Sequence, residues 1–215
     1  MDKHLLRDQA YRLIKRKIVT LEYAIGSPLV EHEVCAQLGI GRTPVREALQ
    51  RLAAEKLIKV IPRKGIFVSD INAWELDRLL EARMMIEIHC AKRAAELISP
   101  EQIEHLKALF VDAPRLIAER KFTELLEIDR NFHMGIVAVS DNPFFDEMAD
   151  KIYDHLARTW FLSFSRRTRE QIMETVDEHL AIIESLEAGR PDLVERSVVR
   201  HLESFRAKVG SPKRP

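Results

Sequence analysis

The segment from Gly41 to Leu52, with the sequence GRTPVREALQRL, constrains the fold of this chain more than any other stretch. Thr43 is a good helix N-cap, and Pro44 then falls at the first helical position, where its missing N–H costs nothing. Apolar residues follow at helical spacing, at Val45, Leu49 and Leu52. The segment therefore predicts a helix that starts at Thr43, runs to about Glu55 and buries one apolar stripe.

The N-terminal end of this helix is positively charged, because Arg42 and Arg46 lie in and beside its first turn. Guanidinium groups near a helix N-terminus suit phosphate oxygens and the edges of guanine bases. After the helix, residues 57–61 are rich in β-branched side chains, residues 62–65 contain a proline and a glycine, and residues 66–68 are apolar. This pattern predicts a β-hairpin directly after the helix.

The tip of the predicted hairpin carries Arg63 and Lys64, followed by Gly65. Gly65 allows the backbone to approach a phosphate or a groove edge, and the two cations supply positive charge. The alternative is that Arg63 and Lys64 are ordinary solvated charges. The arginine-bearing helix beside them favours contact with DNA.

Three motifs together resemble the winged helix-turn-helix head of GntR-family bacterial transcription regulators: Arg42-Thr43-Pro44-Val45-Arg46-Glu47-Ala48-Leu49, Leu57-Ile58 and Pro62-Arg63-Lys64-Gly65-Ile66-Phe67-Val68. The resemblance implies a homodimer that reads a short palindrome in double-stranded operator DNA. It also implies base-edge contacts from Arg42 and Arg46, and phosphate or groove contacts from Thr43 and Gly65.

The charge distribution agrees with DNA binding at one end of the chain, although the net charge of the 215 residues is zero. The first 70 residues hold 13 Lys and Arg against 8 Asp and Glu, a net charge of +5. The rest hold 21 against 26, a net charge of −5. A basic head on an acidic body is expected when only one end meets DNA.

Location is predicted from two further features. No apolar run approaches the roughly 20 residues that a membrane span needs, and the N-terminus shows no signal-peptide pattern. Cys35 and Cys90 lie in apolar helical patterns, which is typical of small core residues rather than of a disulfide and fits a reducing compartment. We therefore expect a cytoplasmic protein without a membrane partner.

The domain organisation predicted from the chain is mainly α: a winged head over residues 1–69, a linker over 70–73, a helical domain over 74–210 and a tail over 211–215. No strand pattern returns after residue 73, and prolines and glycines mark the breaks between helices. Ala113-Pro114 marks either a further break or only a kink within the second helix. The sequence predicts an all-α bundle of six helices, at residues 74–98, 100–119, 122–139, 143–164, 169–188 and 191–208.

Four polar residues of the helical domain fall on apolar helix faces: Asp129, His133, His179 and His201. Burying one unpaired polar group costs on the order of 1–3 kcal/mol, and an isolated carboxylate costs far more. A shared divalent metal removes this cost, and one carboxylate with three imidazoles suits Zn²⁺, Ni²⁺, Mn²⁺ or Fe²⁺. The alternative for any single histidine is a hydrogen-bonded core residue, but four such residues on three helices favour a metal site.

The motifs Asp129-Arg130-Asn131-Phe132-His133, Glu178-His179-Leu180 and His201-Leu202 resemble the FCD effector domain of the FadR-like branch of the same family. In that domain an Asp and three His hold a metal at the floor of a cavity, and the count of six helices is closer to the VanR-type subgroup than to the seven-helix FadR-type form. Arg83 lies where related proteins place an effector-binding arginine; a salt bridge to Glu87 is its alternative role.

The combined pattern predicts a DNA-binding transcription regulator whose operator affinity responds to a small carboxylate metabolite bound at the metal site. A regulator that senses the metal itself is one alternative. A metalloenzyme with a 2-His/carboxylate site is another, but the chain shows no separate base or nucleophile constellation and such an enzyme would leave the winged head unexplained. We therefore expect no enzyme activity.

Overall fold

The computed structural model describes residues 3–164 and 166–209, with side chains from residue 5 onward. The predicted tail at 211–215 lies outside the described residues. The chain divides into two compact units, Met1–Asn72 and Ala73–Pro215, and this division falls within the predicted linker at 70–73. Each unit has its own core and is described separately below.

The first unit is a winged helix-turn-helix built on a small apolar core. Its elements are α1 (Lys3–Val19), α2 (Glu31–Leu38), α3 (Arg42–Ala54), β1 (Ile58–Ile61) and β2 (Gly65–Val68). The two strands pair antiparallel, from Ile58 opposite Val68 to Ile61 opposite Gly65. The core combines the apolar stripes of all five elements, with side chains that include Ile14, Ile18, Val34, Val45, Leu49, Leu52, Ile58 and Val68.

The N-cap of α3 lies two residues before the predicted one. The helix begins at Arg42, its N-cap is Gly41 in an extended conformation, and no side chain caps it, so the predicted N-cap role of Thr43 is wrong. Pro44 is then the third helical residue rather than the first. This position still tolerates proline, because none of the first N–H groups of a helix has an intrahelical partner.

The second unit is a bundle of helices, and its described residues contain no strand. Its elements are α4 (Ala73–Leu97), α5 (Pro100–Ala108), α6 (Ala113–Ala118), α7 (Phe122–Ala138), α8 (Pro143–Phe164), α9 (Arg169–Glu187) and α10 (Pro191–Lys208). The helix α10 packs along α4 and α9, and α7 packs along α8 and α4. Capping boxes at Ser99 and Thr168 fix the starts of α5 and α9.

The described part of this unit has seven helices instead of the predicted six, because the predicted helix at 100–119 is two helices, α5 and the six-residue α6. Pro114 causes the break, since it cannot donate to the Phe110 carbonyl and its ring would clash there. The Ala113 N–H contacts that carbonyl instead, at 3.1 Å. The helix count therefore does not support the VanR-type subgroup.

Two smaller predictions concern the cysteines and the membrane. Cys35 is half-buried and Cys90 is buried, and both are free thiols. Among the described residues, no helix combines the length and the apolar character that crossing a bilayer requires.

Candidate metal centre and candidate nucleic-acid surface

The six residues predicted to contact DNA are all exposed on the first unit. Arg42, Thr43 and Arg46 lie in the first two turns of α3. Arg63, Lys64 and Gly65 form the tip of the β1–β2 hairpin and the first residue of β2. These residues are thus placed where a helix end and a wing can present them to a ligand.

The hairpin tip holds a strained arginine. The Lys64 N–H donates to the Ile61 carbonyl at 3.0 Å, and Pro62 and Arg63 occupy the two central positions of this turn. Arg63 has φ 64°, in the left-handed region, where a type II turn normally carries glycine or asparagine. Such a conformation costs on the order of 1–3 kcal/mol in a side-chain-bearing residue and is common at functional sites.

The two arginines of α3 differ in their surroundings. Arg46 makes a two-point contact with Glu31 of α2: Nε donates to Oε2 at 3.3 Å and Nη2 donates to Oε1 at 3.1 Å. Arg42, by contrast, has no hydrogen bond or ion pair recorded among the described residues. Sequence reasoning did not predict the Arg46–Glu31 pair, because α2 and α3 are separate helices and the two residues are 15 positions apart.

Three helices of the second unit bring the predicted histidines together. His133 on α7, His179 on α9 and His201 on α10 each place one ring nitrogen within 4.8 Å of the other two. The Nε2 atoms of His133 and His179 are 3.3 Å apart. All three residues are at most 3% exposed, so the cluster lies inside the bundle.

Asp129 lies beside the histidine cluster, one helical turn before His133. Its Oδ1 atom is 3.3 Å from Nε2 of His179 and 3.8 Å from Nε2 of His133. Its Oδ2 atom accepts a hydrogen bond of 2.6 Å from the hydroxyl of Tyr153, on α8. One carboxylate oxygen therefore faces the imidazoles, and the other is held by a buried phenol.

Carboxylates hold the outer nitrogens of two of the three rings. Nδ1 of His133 is 3.1 Å from Oε2 of Glu87, and Nδ1 of His201 is 3.0 Å from Oε2 of Glu178. In metal sites such partners fix the ring orientation and the tautomer, and leave the other nitrogen free to bind the ion. Sequence reasoning missed both partner roles, although Glu178 belongs to a quoted motif and Glu87 was named as the alternative partner of Arg83.

His179 is held by packing instead. Its ring stacks on Phe110 with the planes 24° apart and meets Phe132 edge-on. Its Nδ1 atom is buried and has no hydrogen-bond partner within the described part of the chain.

The electrostatics of the cluster favour neutral imidazoles at His179 and His201 and a charged carboxylate at Asp129. Burial lowers the pKa of His201 to about 3, and the neighbouring His179 adds to this effect. Burial also lowers the pKa of His179. Burial alone would raise the pKa of Asp129, but the adjacent imidazoles and the Arg83 guanidinium outweigh it and hold that pKa far below its usual value. Metal binding requires these same protonation states.

The geometry of these donors fits a metal ion. Two donor atoms that each lie about 2.1 Å from a shared ion are about 3.0–3.4 Å apart in octahedral or tetrahedral coordination. The separations of 3.3 Å from Nε2 of His179 to His133 and to Asp129 match this range, whereas the 3.8 Å between Asp129 and Nε2 of His133 is longer. A direct hydrogen bond between two imidazoles would explain only one of these contacts.

Arg83 is buried next to this cluster, on α4. Its Nε donates to Oε1 of Glu87 at 2.5 Å, so the alternative role as a salt-bridge partner is present in the structure. Its Nη2 atom is buried without a hydrogen-bond partner in the described chain. The guanidinium thus keeps donor capacity for a further group.

The free space beside the cluster is small. One cavity of about 20 Å³ is lined by residues that include Asp129, His179 and Trp160. A second cavity of about 10 Å³ is lined by residues that include Arg83, Asp129, His201 and Trp160. Each has room for about one water molecule. Trp160 borders both cavities, so its movement would enlarge either of them.

Comparison with known proteins agrees with this division of the chain. A family model described as "Bacterial regulatory proteins, gntR family" matches residues 6–68, and a model of the FCD domain matches residues 78–204. The chain is 28% identical over 204 residues to the HTH-type transcriptional repressor RspR of Escherichia coli K12. That similarity covers 95% of this chain and 89% of RspR.

Two solved structures have the same fold. E. coli McbR/YncC superposes with a TM-score of 0.87 at 20% identity, covering 95% of this chain and 97% of that one. A putative GntR regulator from Rhodococcus sp. RHA1 superposes with a TM-score of 0.80 at 19% identity, covering 97% and 99%. At 19–20% identity, these two similarities show a shared fold and nothing about function.

Proposed function

The chain belongs to the GntR family of bacterial transcription regulators and carries an FCD domain, and from this premise we propose that its DNA binding is controlled at the buried metal centre. The membership makes it a transcription regulator rather than an enzyme. We propose further that a divalent ion binds Asp129, His133, His179 and His201. A small carboxylate metabolite bound at that ion would then change the affinity for operator DNA.

The DNA contacts follow from the exposed groups of the head. Arg42 and Arg46 would read base edges, Thr43 and Gly65 would contact the phosphate backbone or a groove, and the wing cations would add phosphate contacts. A homodimer would present two heads to a palindromic site. A protein with this partner would act in the cytoplasm.

The observation that carries the metal proposal is the convergence of buried donors. Three imidazole nitrogens lie within 4.8 Å of one another, and two of the rings are oriented from behind by carboxylates. Zn²⁺ is the first candidate because it prefers nitrogen and oxygen donors at these distances, and Ni²⁺, Mn²⁺ and Fe²⁺ are the others.

The effector role is proposed for Arg83. A divalent ion that takes six ligands would keep up to two positions beyond the four protein donors, and a carboxylate oxygen could fill one of them. The unpaired Nη2 atom of Arg83 would donate to the other end of such a ligand. Because each neighbouring cavity holds about one water molecule, the ligand would displace side chains around Trp160. The protein would then have two conformations, before and after this displacement. A ligand that binds the second conformation more tightly would shift the protein toward it.

The first experiment compares DNA binding in three states of the full-length protein. A duplex enriched from a random pool by the protein serves as the probe, with Zn²⁺ present, with chelator, and with Zn²⁺ plus a panel of small mono-, di- and hydroxycarboxylates. The proposal expects at least one carboxylate to change the affinity only when metal is present. A response to a carboxylate that survives the chelator would contradict it.

A second experiment tests the ligand assignment. His133→Ala should lose bound metal in elemental analysis, because it removes one donor and frees the carboxylate that held it. His105→Ala, at an exposed position of α5, is the control and should keep the wild-type metal content. Equal metal content in both variants would exclude His133 as a ligand.

Movement at Trp160 can be followed directly. The chain has two tryptophans, and Trp74 is exposed, so a Trp74→Phe variant leaves Trp160 as the only indole. Ni²⁺ bound at the cluster should quench its emission, and an effective carboxylate should shift the emission further. If Ni²⁺ quenches Trp160 equally when His133→Ala is added, the quenching ion does not bind at the cluster.

A metal-sensing regulator is the second candidate, and the small size of the cavities favours it. With about 10 and 20 Å³ beside the cluster, the ion could itself be the signal. In that case DNA affinity would follow the free metal concentration, and no member of the carboxylate panel would alter it.

A further inference from the structure

The ion pair between Glu31 and Arg46 links the two helices of the helix-turn-helix. Glu31 is the first residue of α2, and Arg46 lies on the second turn of α3. The carboxylate side chain is 27% exposed and the guanidinium side chain is 64% exposed. The Glu31 carboxylate is therefore partly covered, while the Arg46 side chain extends into solvent.

The contact uses one edge of the guanidinium group. Nε and Nη2 of Arg46 donate to the two carboxylate oxygens of Glu31. A guanidinium has five N–H donors, so three remain, two on Nη1 and one on Nη2. The remaining Nη2 donor and one Nη1 donor form the adjacent, end-on edge of the planar group, and the other Nη1 donor points back toward Cδ. The end-on edge has the geometry that pairs with O6 and N7 of guanine.

We infer that Glu31 is a positioning residue for sequence reading, which fixes Arg46 so that its end-on edge faces a guanine. This inference rests on the proposed function, in which Arg46 contacts a base. Arginine has many rotamers, and fixing one such side chain on binding reduces affinity by about 2- to 12-fold. An arginine already held by a carboxylate has lost that freedom before DNA arrives.

The pairing has a second consequence for salt dependence. Glu31 and Arg46 together carry no net charge, so the pair contributes little to the release of counterions from the phosphate backbone. An unpaired arginine at the same position would neutralise up to one further phosphate charge. The logarithm of the DNA-binding constant would then fall more steeply with the logarithm of the salt concentration, by about 0.9 in slope. The pair therefore favours sequence discrimination over general attraction to DNA.

A matched control lies on the same helix. Glu33 is exposed, and it shares the first turn of α2 with Glu31. Both acids interact in the same way with the positive end of the helix dipole. No hydrogen bond or ion pair of Glu33 is recorded among the described residues. Glu33→Gln thus makes the same change of charge and size as Glu31→Gln, without touching Arg46.

The experiment measures discrimination in the full-length protein. The probes are the duplex that the wild-type protein enriches from a random pool and a base-shuffled duplex of the same length. Glu31→Gln should lower the ratio of the two affinities by about 2- to 12-fold and steepen the salt slope on the shuffled duplex. Glu33→Gln should keep the wild-type ratio. Circular dichroism should show that Glu31→Gln folds like the wild type and loses no more stability than the small amount that an exposed ion pair contributes.

A double variant separates positioning from other effects. In the Arg46→Ala background, adding Glu31→Gln should leave the affinity ratio unchanged, because the residue to be positioned is gone. An equal loss in both backgrounds, or an unchanged or higher ratio in Glu31→Gln alone, would overturn the inference while leaving DNA binding intact. If the random pool yields no enriched duplex, or if Arg46→Ala discriminates like the wild type, the proposed role of Arg46 fails as well.

Discussion

The two units of this chain place their functional charges in opposite environments. In the first unit, all six candidate DNA contacts are exposed, and none of its described buried side chains is charged. In the second unit, Arg83, Glu87, Asp129 and the three histidines are each at most 7% exposed. Exposed charges keep their hydration and cost the fold little, whereas buried charges lower stability unless each has a partner. Substitutions at the exposed charges of the head should therefore affect folding little, whereas substitutions at the buried charges of the bundle should destabilise it.

The sharpest test of this contrast is the buried pair of Arg83 and Glu87. Glu87→Ala leaves the buried guanidinium without its carboxylate, and removing one member of such a pair costs about 3–5 kcal/mol of unfolding free energy. Both tryptophans lie in the second unit, so their fluorescence follows its unfolding by urea, and a chelator keeps metal out of the comparison. A loss below about 1 kcal/mol would show that water or a rearranged side chain replaces the missing carboxylate as the partner of Arg83. The contrast between the two units would then weaken.

The next effect concerns the carboxylate behind His201. Glu178→Gln keeps the size of the side chain but weakens its hold on Nδ1, so metal affinity should fall by about 10- to 100-fold. Competition with a chelating dye measures this affinity. Glu174→Gln, one turn earlier on the exposed side of α9, is the control and should bind metal like the wild type. Equal affinities for the two variants would show that the contact to His201 does not orient the ring.

Sequence reasoning was most successful where the determining signal is local. The hairpin follows from β-branched residues around a proline–glycine turn, and the cluster histidines follow from their positions on apolar helical stripes. The start of α3 was placed wrongly, because proline is compatible with more than one position in a first helical turn. At Ala113-Pro114 the sequence left a break and a kink open, because proline is compatible with both. The helix propensity of proline alone does not determine which of these arrangements forms.

The partners of the functional residues were harder to predict for a different reason. Glu87 and His133 are 46 positions apart in the chain, and Glu178 and His201 are 23 apart. Such pairs depend on how helices pack against one another, and the spacing within one helix carries no information about that. The same holds for Glu31 and Arg46, which meet across the turn of the helix-turn-helix.

The smallest expected effect completes the comparison of the two units. Arg46→Ala breaks an ion pair as Glu87→Ala does, but its guanidinium is 64% exposed, so the loss of stability should be about 0–1 kcal/mol. Thermal unfolding by circular dichroism measures it, with Arg42→Ala as the control that removes an arginine without breaking a recorded pair. A loss as large as that of Glu87→Ala would mean that the exposed pair holds α2 on α3. The DNA-binding defects of head variants would then reflect folding, and the separation between a tolerant surface and an intolerant core would not hold.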